Sequence, residues 1–585
     1  MGLIQSQDTG HIPTTITARP PHDGIASTTI SIEKDGSNGR SEAIANGGDS
    51  KSSSMISPQS PPSISAVTLD DAIAIRTDWN KEIYLLSALA APTIGIQLGV
   101  VLPNFLLASQ VGRLYGSLYL DGFTLANLMG NLCNLSLLQG IYTASDTLGP
   151  QAYCAQNYPQ VGLLCIRGVV ASAIVLVPIN VILVAFFEQL MVAVGENPDA
   201  ARHAQDYYRI FVWALPFFVL YNVTWKFLSA QEIMMPLVLV CLFSCICILP
   251  IGVFGFVQES WLGFVGSAWT IVLFQVAQAI LLLIYLYVQH PHKIETWPGL
   301  SWRTIRQALN EPKGAFGNYM WLGLGGMLAT SEWIYWESLT LLIGTMGVVP
   351  LSVHTIPTQV LMVTFMFSFG IAIALAVRLG ATLPISVERA RKLTVGTFIG
   401  GALLFGTMGV MMYKYRETIF SLFTEEEAVL EGAHEIWPKV CVYFFNLCIY
   451  ALNMGVATGL GQQWMFGIVT VIFLWGLSLP SMYYLCVIRG GGLSTAWACI
   501  TQPYIVMNAY LIVRFFFFED WKAVQHAIRS REGIEERTSS EAVFLDNGDR
   551  AGLLVNSDSS RSNGGDVVDE RTGLLMVQSG GAIIQ

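Results

Sequence analysis

Two acidic residues interrupt one of the most apolar stretches of the sequence. Residues 328–344 read LATSEWIYWESLTLLIG, so Glu332 and Glu337 stand among Trp, Tyr, Ile and Leu. A charged side chain at the middle of a bilayer costs on the order of 2.5–3.5 kcal/mol on insertion scales, and such residues usually face a bundle interior or an ion pathway. An apolar environment favours the protonated form of a carboxyl group, so an acid placed there can load and release a proton.

Helix geometry separates the two acids. Glu332 and Glu337 are five residues apart, which is about 140° around a helix with 3.6 residues per turn, so they cannot face one narrow cavity together. Glu332 lies close to the middle of its predicted span, 318–344, and we expect it to be the proton-coupling acid, with a lesser role for Glu337. The alternative is a structural Glu that hydrogen bonds to a neighbouring helix. The candidates for cation–π contact with a solute are Trp333, Tyr335 and Trp336.

Other polar residues also fall within apolar segments. His354 and Gln359 lie in one such segment and are expected to face the same cavity, where His354 is either a proton relay or a helix–helix contact. In the first half of the chain, side-chain amides either coordinate a solute or hold helices together. These amides belong to Gln97, Asn104, Asn127, Asn131 and Asn134.

Composition identifies the elements that must position these residues. The chain has 585 residues, of which 53% are hydrophobic and 12% are charged, against about 25% charged in soluble domains. Most of the net charge of −10 lies in residues 1–80 and 519–585. The ten cysteines show no CxxC pair, so neither a disulfide framework nor a metal site is expected. The sequence therefore predicts a polytopic membrane protein, with no cofactor and no nucleic-acid partner.

Apolar runs of about 20 residues, the length that crosses a bilayer, alternate with short polar breaks from about residue 82 to 516. We predict an all-α polytopic membrane protein with twelve transmembrane helices in two six-helix bundles related by pseudo-twofold symmetry. The predicted spans 1 to 12 are 84–108, 121–145, 161–187, 205–229, 234–258, 262–288, 318–344, 350–377, 393–413, 436–459, 464–488 and 491–516.

Loop charge predicts the orientation. The loops after spans 6 and 8 carry basic clusters, and the positive-inside rule places them, and both tails, in the cytosol. The predicted organisation is a disordered cytosolic tail (1–80), a bundle (81–290), a cytosolic linker (291–317), a second bundle (318–518) and a second disordered tail (519–585). The basic residues concerned are Lys293, Arg303, Arg306, Lys313, Arg378, Arg389, Arg391 and Lys392.

Four sequence motifs in the apolar part of the chain form an ordered set. They are VGRLYGSLYLDGFTLA (111–126), SDTLGPQAYCAQNYPQVG (145–162), WKFLSAQEIMMP (225–236) and SEWIYWE (331–337). In this order they resemble the link before span 2, the signature after it, and the motifs of spans 4 and 7 in the multidrug and toxic compound extrusion (MATE) family, eukaryotic branch. The resemblance covers residues 82–522 and implies a twelve-span antiporter. Two departures concern Gln359 and Leu447, which stand where animal cation exporters have acids.

The resemblance also assigns a set of structural residues. Asp146, at the cytosolic edge of span 2, is expected to lock the loop to neighbouring helices or backbone amides and not to contact substrate. Lys226 is expected to extend from the end of span 4 to the membrane interface, with substrate contact as the alternative. The motif residues are Asp146, Gln151, Lys226 and Gln231.

The tails carry short targeting patterns. DRAGLL (549–554) and ERTGLL (570–575) are similar to acidic dileucine signals, which adaptor proteins read, although chance leucines are the alternative. MGLIQS fits the acylation pattern at Gly2, or is an ordinary flexible start. We expect a vacuolar, lysosomal or endosomal membrane, with the plasma membrane as the alternative. The sorting residues are Asp549, Leu553, Leu554, Glu570, Leu574 and Leu575.

Together these features predict a secondary antiporter that exports small organic solutes or xenobiotics from the cytosol in exchange for protons. Its expected partners are the solute, protons, the bilayer and, through the second tail, clathrin adaptor complexes; we expect a monomer. A Na⁺-coupled exporter and a lipid or glycolipid flippase remain as alternatives. An enzyme is not expected, because the sequence contains no HExxH or GxSxG motif.

Overall fold

The structure is a computed structural model that describes residues 79–258, 262–421 and 426–533. All regular secondary structure in these residues is helical. Gly2 and both Leu-Leu sequences lie outside the described residues, so their predicted roles remain predictions.

Each predicted span corresponds to a helical segment, and ten of the segments are long and apolar enough to cross a membrane. These ten, spans 1, 3–6 and 8–12, are Glu82–Tyr115, Tyr158–Val194, Pro198–Ser229, Met235–Gln258, Gly263–Gln289, Val349–Thr382, Val387–Lys414, Glu427–Leu460, Gln463–Ile488 and Gly492–Phe518. Span 2 consists of Ser117–Gly130, a π-helical turn at Asn131–Leu135, and Ser136–Cys154. Span 7 consists of Ala315–Ala329 and Ser331–Gly344. The predicted twelve-span fold is confirmed.

Span 7 is broken at Thr330, which has φ −84° and ψ 1°. The Thr330 hydroxyl donates to the carbonyl of Gly326 in its own span and to that of Ser136 in span 2, both at 3.1 Å. The two spans approach so closely that a Cβ on Gly326 would lie 2.2 Å from the Gly140 carbonyl oxygen. The break places Glu332 in the first turn of the second segment of span 7.

The two bundles pack through equivalent helices. Span 1 of the first bundle lies against span 8 of the second, and span 2 lies against span 7. An axis that exchanges spans 1 and 7 also exchanges spans 2 and 8, so this pairing is what pseudo-twofold symmetry requires. The two-bundle arrangement is the predicted one, and its interface is built from the spans that carry the candidate site residues.

Among the described residues, two α-helices of nine residues or more lie outside the spans. In the linker, a helix at Trp302–Asn310 begins with the Ser301 side chain as its N-cap, and the buried Arg167 of span 3 donates to the carbonyls of Ala308 and Glu311 at its end. A cation is favourable there because the C-terminal end of a helix is electronegative.

The second of these helices corrects the predicted disorder of residues 519–585. Residues Trp521–Arg531 form a C-terminal helix that is capped by the Asp520 side chain, and Trp521 is fully buried. The Trp521 indole donates to the carbonyl of Phe515 at 2.8 Å. The composition of the whole tail concealed this short ordered segment at its start.

Candidate functional site

Glu332 is buried between spans 7 and 12, with 3% of its surface exposed. Its Oε1 atom accepts hydrogen bonds from the Trp336 indole at 3.1 Å and from the Tyr504 hydroxyl at 3.0 Å. Trp336 follows one turn later in the same helix, whereas Tyr504 comes from span 12. Two donors to one carboxylate oxygen fix the position of the acid and leave Oε2 available to carry a proton.

Aromatic rings enclose this carboxylate. The ring of Trp336 lies 5.3 Å from that of Tyr443 and 6.4 Å from that of His354, and Trp497 lies 5.5 Å from His354. The Tyr443 hydroxyl, the His354 Nδ1 and the Trp497 indole nitrogen are buried and have no hydrogen-bond partner among the described residues. A buried polar atom normally has a partner, so this group of unpaired atoms around one acid is typical of a functional site.

The neighbours of Glu332 in the sequence face other directions. The Tyr335 hydroxyl hydrogen bonds to Ser478 of span 11 at 2.5 Å, and Trp333 packs against Phe369 of span 8. Glu337 is half-buried and forms no hydrogen bond or ion pair with the described residues. The two acids therefore lie in different surroundings, as the expected angle of about 140° between them requires.

The expectation that His354 and Gln359 share a cavity is wrong. His354 is fully buried against Trp336, whereas Gln359 is exposed. Five residues on a helix turn the side chain away from the enclosed cluster. Leu447 is buried in the core of the second bundle, where it contributes no charge.

In the first bundle, Asn131 lines a cavity together with the predicted Asn104, Asn127 and Asn134. Asn131 begins the π-helical turn of span 2, and π-helical turns occur frequently at functional sites. Gln97 is buried in span 1 outside the residues that line this cavity.

Lys226 does not extend to the membrane interface, which corrects the expectation for this residue. It is 5% exposed, and its Nζ atom lies 2.8 Å from Oδ2 of Asp146, which is also buried. The predicted anchoring of Asp146 to a neighbouring helix is therefore made to span 4, through Lys226. A small cavity between this pair and spans 8 and 10 is lined by Phe369, Met454 and Thr458.

The other two motif residues lie at the face predicted to be cytosolic. Gln151 donates to the carbonyl of Gly459 in span 10 at 3.1 Å and accepts a hydrogen bond from Arg531. Gln231 accepts a bond from the backbone N–H of Lys293 at 3.3 Å. Gln151 thus joins the two bundles, whereas Gln231 fixes the beginning of the linker.

A partly buried network of charged residues joins the two bundles at the same face. Arg378 of span 8 pairs with Glu82 of span 1 at 3.0 Å and with Glu232 after span 4, and Arg389 of span 9 also pairs with Glu82. Arg378 was predicted in a loop, but span 8 continues to Thr382, so this residue lies inside the helix. Each of these pairs connects the first bundle to the second.

The C-terminal helix crosses this interface. Arg529 donates to the carbonyls of Pro384 and Ile385 after span 8, at 2.8 and 3.1 Å. At the end of the helix, Arg531 hydrogen bonds to Gln151 in the first bundle, and Glu532 accepts from Asn157 at 3.2 Å. The helix therefore holds both bundles together where they meet.

Comparison with known proteins places this arrangement in a family. The MatE family model matches residues 92–254 and 328–484. Multidrug and toxin extrusion protein 1 of Rattus norvegicus is 27% identical over 446 residues, which cover 75% of this chain and 77% of that protein. The Homo sapiens protein of the same name is 27% identical over 449 residues, covering 76% of each chain.

Solved structures share the fold. The eukaryotic MATE transporter AtDTX14 superposes with a TM-score of 0.70 at 19% identity, covering 77% of this chain and 99% of that one. A MOP superfamily transporter from Pyrococcus furiosus gives a TM-score of 0.65 at 16% identity, covering 76% and 96%. Because the family model matches more than half of the sequence and the helices adopt the same fold, this chain belongs to the MatE family of membrane transporters.

Proposed function

We propose that this protein is a secondary antiporter that exports small organic solutes or xenobiotics from the cytosol in exchange for protons. The observation that carries the proposal is the position of Glu332: a carboxyl group buried behind a break in span 7, held by Trp336 and Tyr504, and enclosed by aromatic rings. The relatives named multidrug and toxin extrusion proteins support export of organic solutes.

Proton exchange requires an acid that changes its charge during the cycle. In the buried state, the ionised form of Glu332 is supported by two donors, and the unpaired polar atoms of Tyr443 and His354 lie in the same cluster. Protonation removes the charge and weakens the two hydrogen bonds, because bonds to an ionised acceptor are the stronger ones. Trp336 and Tyr504 would then be free to move, and their movement would make the packing of spans 7 and 12 depend on whether Glu332 is protonated.

Na⁺ coupling is the principal alternative. Hard cations are bound by several oxygen ligands, and the described residues that hydrogen bond to Glu332 contribute an indole N–H and a phenol but no second carboxylate. A single carboxyl group is sufficient for a proton. This donor set favours protons over Na⁺.

A lipid or glycolipid flippase is the second alternative. We expect such a protein to need a large, basic cavity. Among the described residues, the cavity of the first bundle is lined by neutral side chains, and the nearby Lys226 is already paired with Asp146. A small solute fits these surroundings better.

The test is uptake of labelled solutes into vesicles that contain the purified protein. Glu332→Gln keeps the shape and an oxygen acceptor for Trp336 and Tyr504 but removes the titratable proton, so exchange driven by a pH gradient should fall to background. Glu337→Gln is the matched control, and we expect only a weaker apparent affinity. Exchange at the wild-type rate in Glu332→Gln, or uptake that follows a Na⁺ gradient at constant pH, would overturn proton coupling through this acid.

We further propose that the protein resides on a vacuolar, lysosomal or endosomal membrane and that adaptor proteins, such as clathrin adaptors, read its dileucine sequences. An acidic lumen would supply the proton gradient that draws solutes out of the cytosol. The plasma membrane is the alternative site, and replacing Leu553, Leu554, Leu574 and Leu575 by Ala separates the two.

A further inference from the structure

The linker between the two bundles carries large apolar side chains that remain exposed in the fold. Ile294, Leu300 and Trp302 are 84%, 74% and 81% exposed. Tyr287, near the end of span 6, and Trp321, near the beginning of span 7, are exposed as well. Tyr and Trp are enriched where a membrane meets water. The linker therefore begins and ends at the depth of the lipid headgroups.

The helix of the linker, Trp302–Asn310, is held against span 3 by one face. Ala308 is fully buried against Leu163 and Ile166 of span 3, and the buried Arg167 of the same span donates to the Ala308 carbonyl at 2.6 Å. Span 3 has 37 residues, which is about 55 Å of helix against about 30 Å of hydrocarbon core. Its first turns, and the linker helix beside them, therefore reach the headgroup region.

The opposite face of the linker helix is basic and aromatic. Trp302, Arg303 and Arg306 are all exposed, and at 100° per residue they lie within about 100° of one another around the helix. Ala308, on the face against span 3, lies about 120–160° away from them. The two acids of the linker stand before and after the helix and not within it. These acids are Glu295 and Glu311.

The fold leaves these cations without partners. Arg303, Arg306 and the exposed Lys313 form no ion pair and no side-chain hydrogen bond with the other described residues. Elsewhere at the same face, Arg378 and Arg389 are both paired with Glu82. The cations of the linker are therefore available to an external anion, and the planar guanidinium group matches the oxygens of a phosphate.

The combination of exposed apolar groups and free cations selects the kind of partner. Lipid on the cytosolic side of a membrane is anionic and attracts basic residues close to the membrane, while rings insert between its headgroups. The linker joins spans 6 and 3, whose exposed residues include Leu283, Ile284, Val177 and Val181. These apolar flanks continue into the linker, so they favour lipid over an acidic protein as the occupant.

We propose that the linker binds an anionic phospholipid of the cytosolic leaflet, with Arg303 and Arg306 on the headgroup phosphate and Trp302 beside the glycerol backbone. The binding surface consists of Ile294, Leu300, Trp302, Arg303, Arg306 and Lys313. The proposal uses the predicted orientation of the linker, but it does not depend on the proposed export function. It is therefore tested by equilibrium binding, which requires no proton gradient.

The probes are phosphatidylserine and phosphatidylcholine that carry the same acyl chains and the same fluorophore on one chain. Fluorescence anisotropy follows their binding to the purified full-length protein in a neutral detergent. We expect phosphatidylserine to bind at least about tenfold more tightly than phosphatidylcholine, because several cations act together. Raising the ionic strength from about 0.05 to 0.5 M should reduce this preference. Equal binding of the two lipids would overturn the proposal.

The variant Arg303→Gln/Arg306→Gln removes two charges from the exposed face. It should bind phosphatidylserine about tenfold more weakly and phosphatidylcholine like the wild type. The matched control is Arg113→Gln/Lys414→Gln, because these exposed cations lie at the ends of spans 1 and 9, at the opposite face. Wild-type affinity in the linker variant, or an equal loss in the control, would refute the assignment.

The conservative variant Arg303→Lys/Arg306→Lys separates loss of charge from misfolding. It keeps both charges and should retain most of the preference for phosphatidylserine, whereas a loss as large as that in the Gln variant would count against electrostatic binding. Glycerophosphoserine, which has the headgroup but no acyl chains, should not displace the lipid probe even in large excess. Displacement would show a site for a soluble anion and would overturn the assignment to lipid.

Hydrogen exchange locates the lipid on the protein. In nanodiscs that contain phosphatidylserine, amides 299–306 should exchange several-fold more slowly than in nanodiscs of phosphatidylcholine alone, and the Gln variant should lose this difference. Equal exchange of the wild type in both nanodiscs would contradict binding at the linker. Glu332→Gln should bind phosphatidylserine like the wild type, so a failure of the proton mechanism leaves this proposal intact.

Discussion

Lys226 and Asp146 form an ion pair in the interior of the first bundle, with 2.8 Å between Nζ and Oδ2 and little exposure of either side chain. The pair connects spans 2 and 4 at the surface that faces spans 8 and 10. Each charge depends on the other, because both side chains are buried. The stability of the first bundle therefore depends on both members together.

The first prediction concerns this pair. Asp146→Asn alone leaves an unpaired buried ammonium group, and breaking a buried pair in this way costs about 3–5 kcal/mol of unfolding free energy. We expect a clear fall in the thermal unfolding temperature of the purified protein. The double variant Asp146→Asn/Lys226→Met, which buries no charge, should recover much of the loss. A single variant as stable as the wild type would show that the pair is dispensable.

The second prediction concerns the hydrogen bond between Tyr504 and Glu332. Tyr504→Phe removes one of the two donors to the carboxylate oxygen and leaves the ring in place. We expect proton-driven exchange to slow by several-fold, less than in Glu332→Gln, because Trp336 still holds the acid. The measurement is the initial rate of uptake across a range of pH, since loss of a donor should change the pH profile as well as the rate.

Tyr335→Phe is the control for that experiment. Tyr335 is equally buried, but it hydrogen bonds to Ser478 in span 11. Its substitution should leave the pH profile unchanged. Identical pH profiles for the wild type, Tyr504→Phe and Tyr335→Phe would show that Tyr504 does not act on Glu332.

The third prediction concerns closure at the predicted cytosolic face. Arg531→Ala/Glu532→Ala removes the bonds from the end of the C-terminal helix to Gln151 and Asn157. In the wild type, this face can open only when the bonds of Arg531 to Gln151 and of Glu532 to Asn157 break. Without these bonds the face should open more easily, and amide hydrogen exchange should rise around Thr458 and the neighbouring residues of span 10.

Lys522→Ala provides a matched control on the same helix, because the Lys522 side chain is exposed and its backbone N–H bonds to the Asp520 cap. This change should not affect exchange in span 10. Equal exchange in the double variant and the wild type would mean that the C-terminal helix does not contribute to closure.

The fold was more predictable than the contacts of the site. The spans can be predicted from the length of the apolar runs. Glu332 was recognisable as a candidate site residue because a charged side chain in such a run has a high free energy of insertion into the membrane. Its partner Tyr504 lies 172 positions later, where a single Tyr in an apolar span gives no signal. The positions of Lys226 and Arg378 were predicted wrongly for the same reason. A basic residue near the end of a span is expected to be exposed, and the sequence does not show that the fold places a distant acid, such as Asp146 for Lys226, beside it.

The last prediction concerns the membrane in which the protein works. Leu553, Leu554, Leu574 and Leu575 follow acidic residues in the second tail, beyond the described residues. If adaptors read these sequences, replacing the four leucines by Ala should move a tagged protein from a vacuolar, lysosomal or endosomal membrane to the cell surface. Because the leucines lie far along the sequence from Glu332, pH-driven exchange by the purified variant should equal that of the wild type. An intact protein that is already at the cell surface, and that the substitutions do not move, would show that the leucines are incidental and that solutes leave the cell directly.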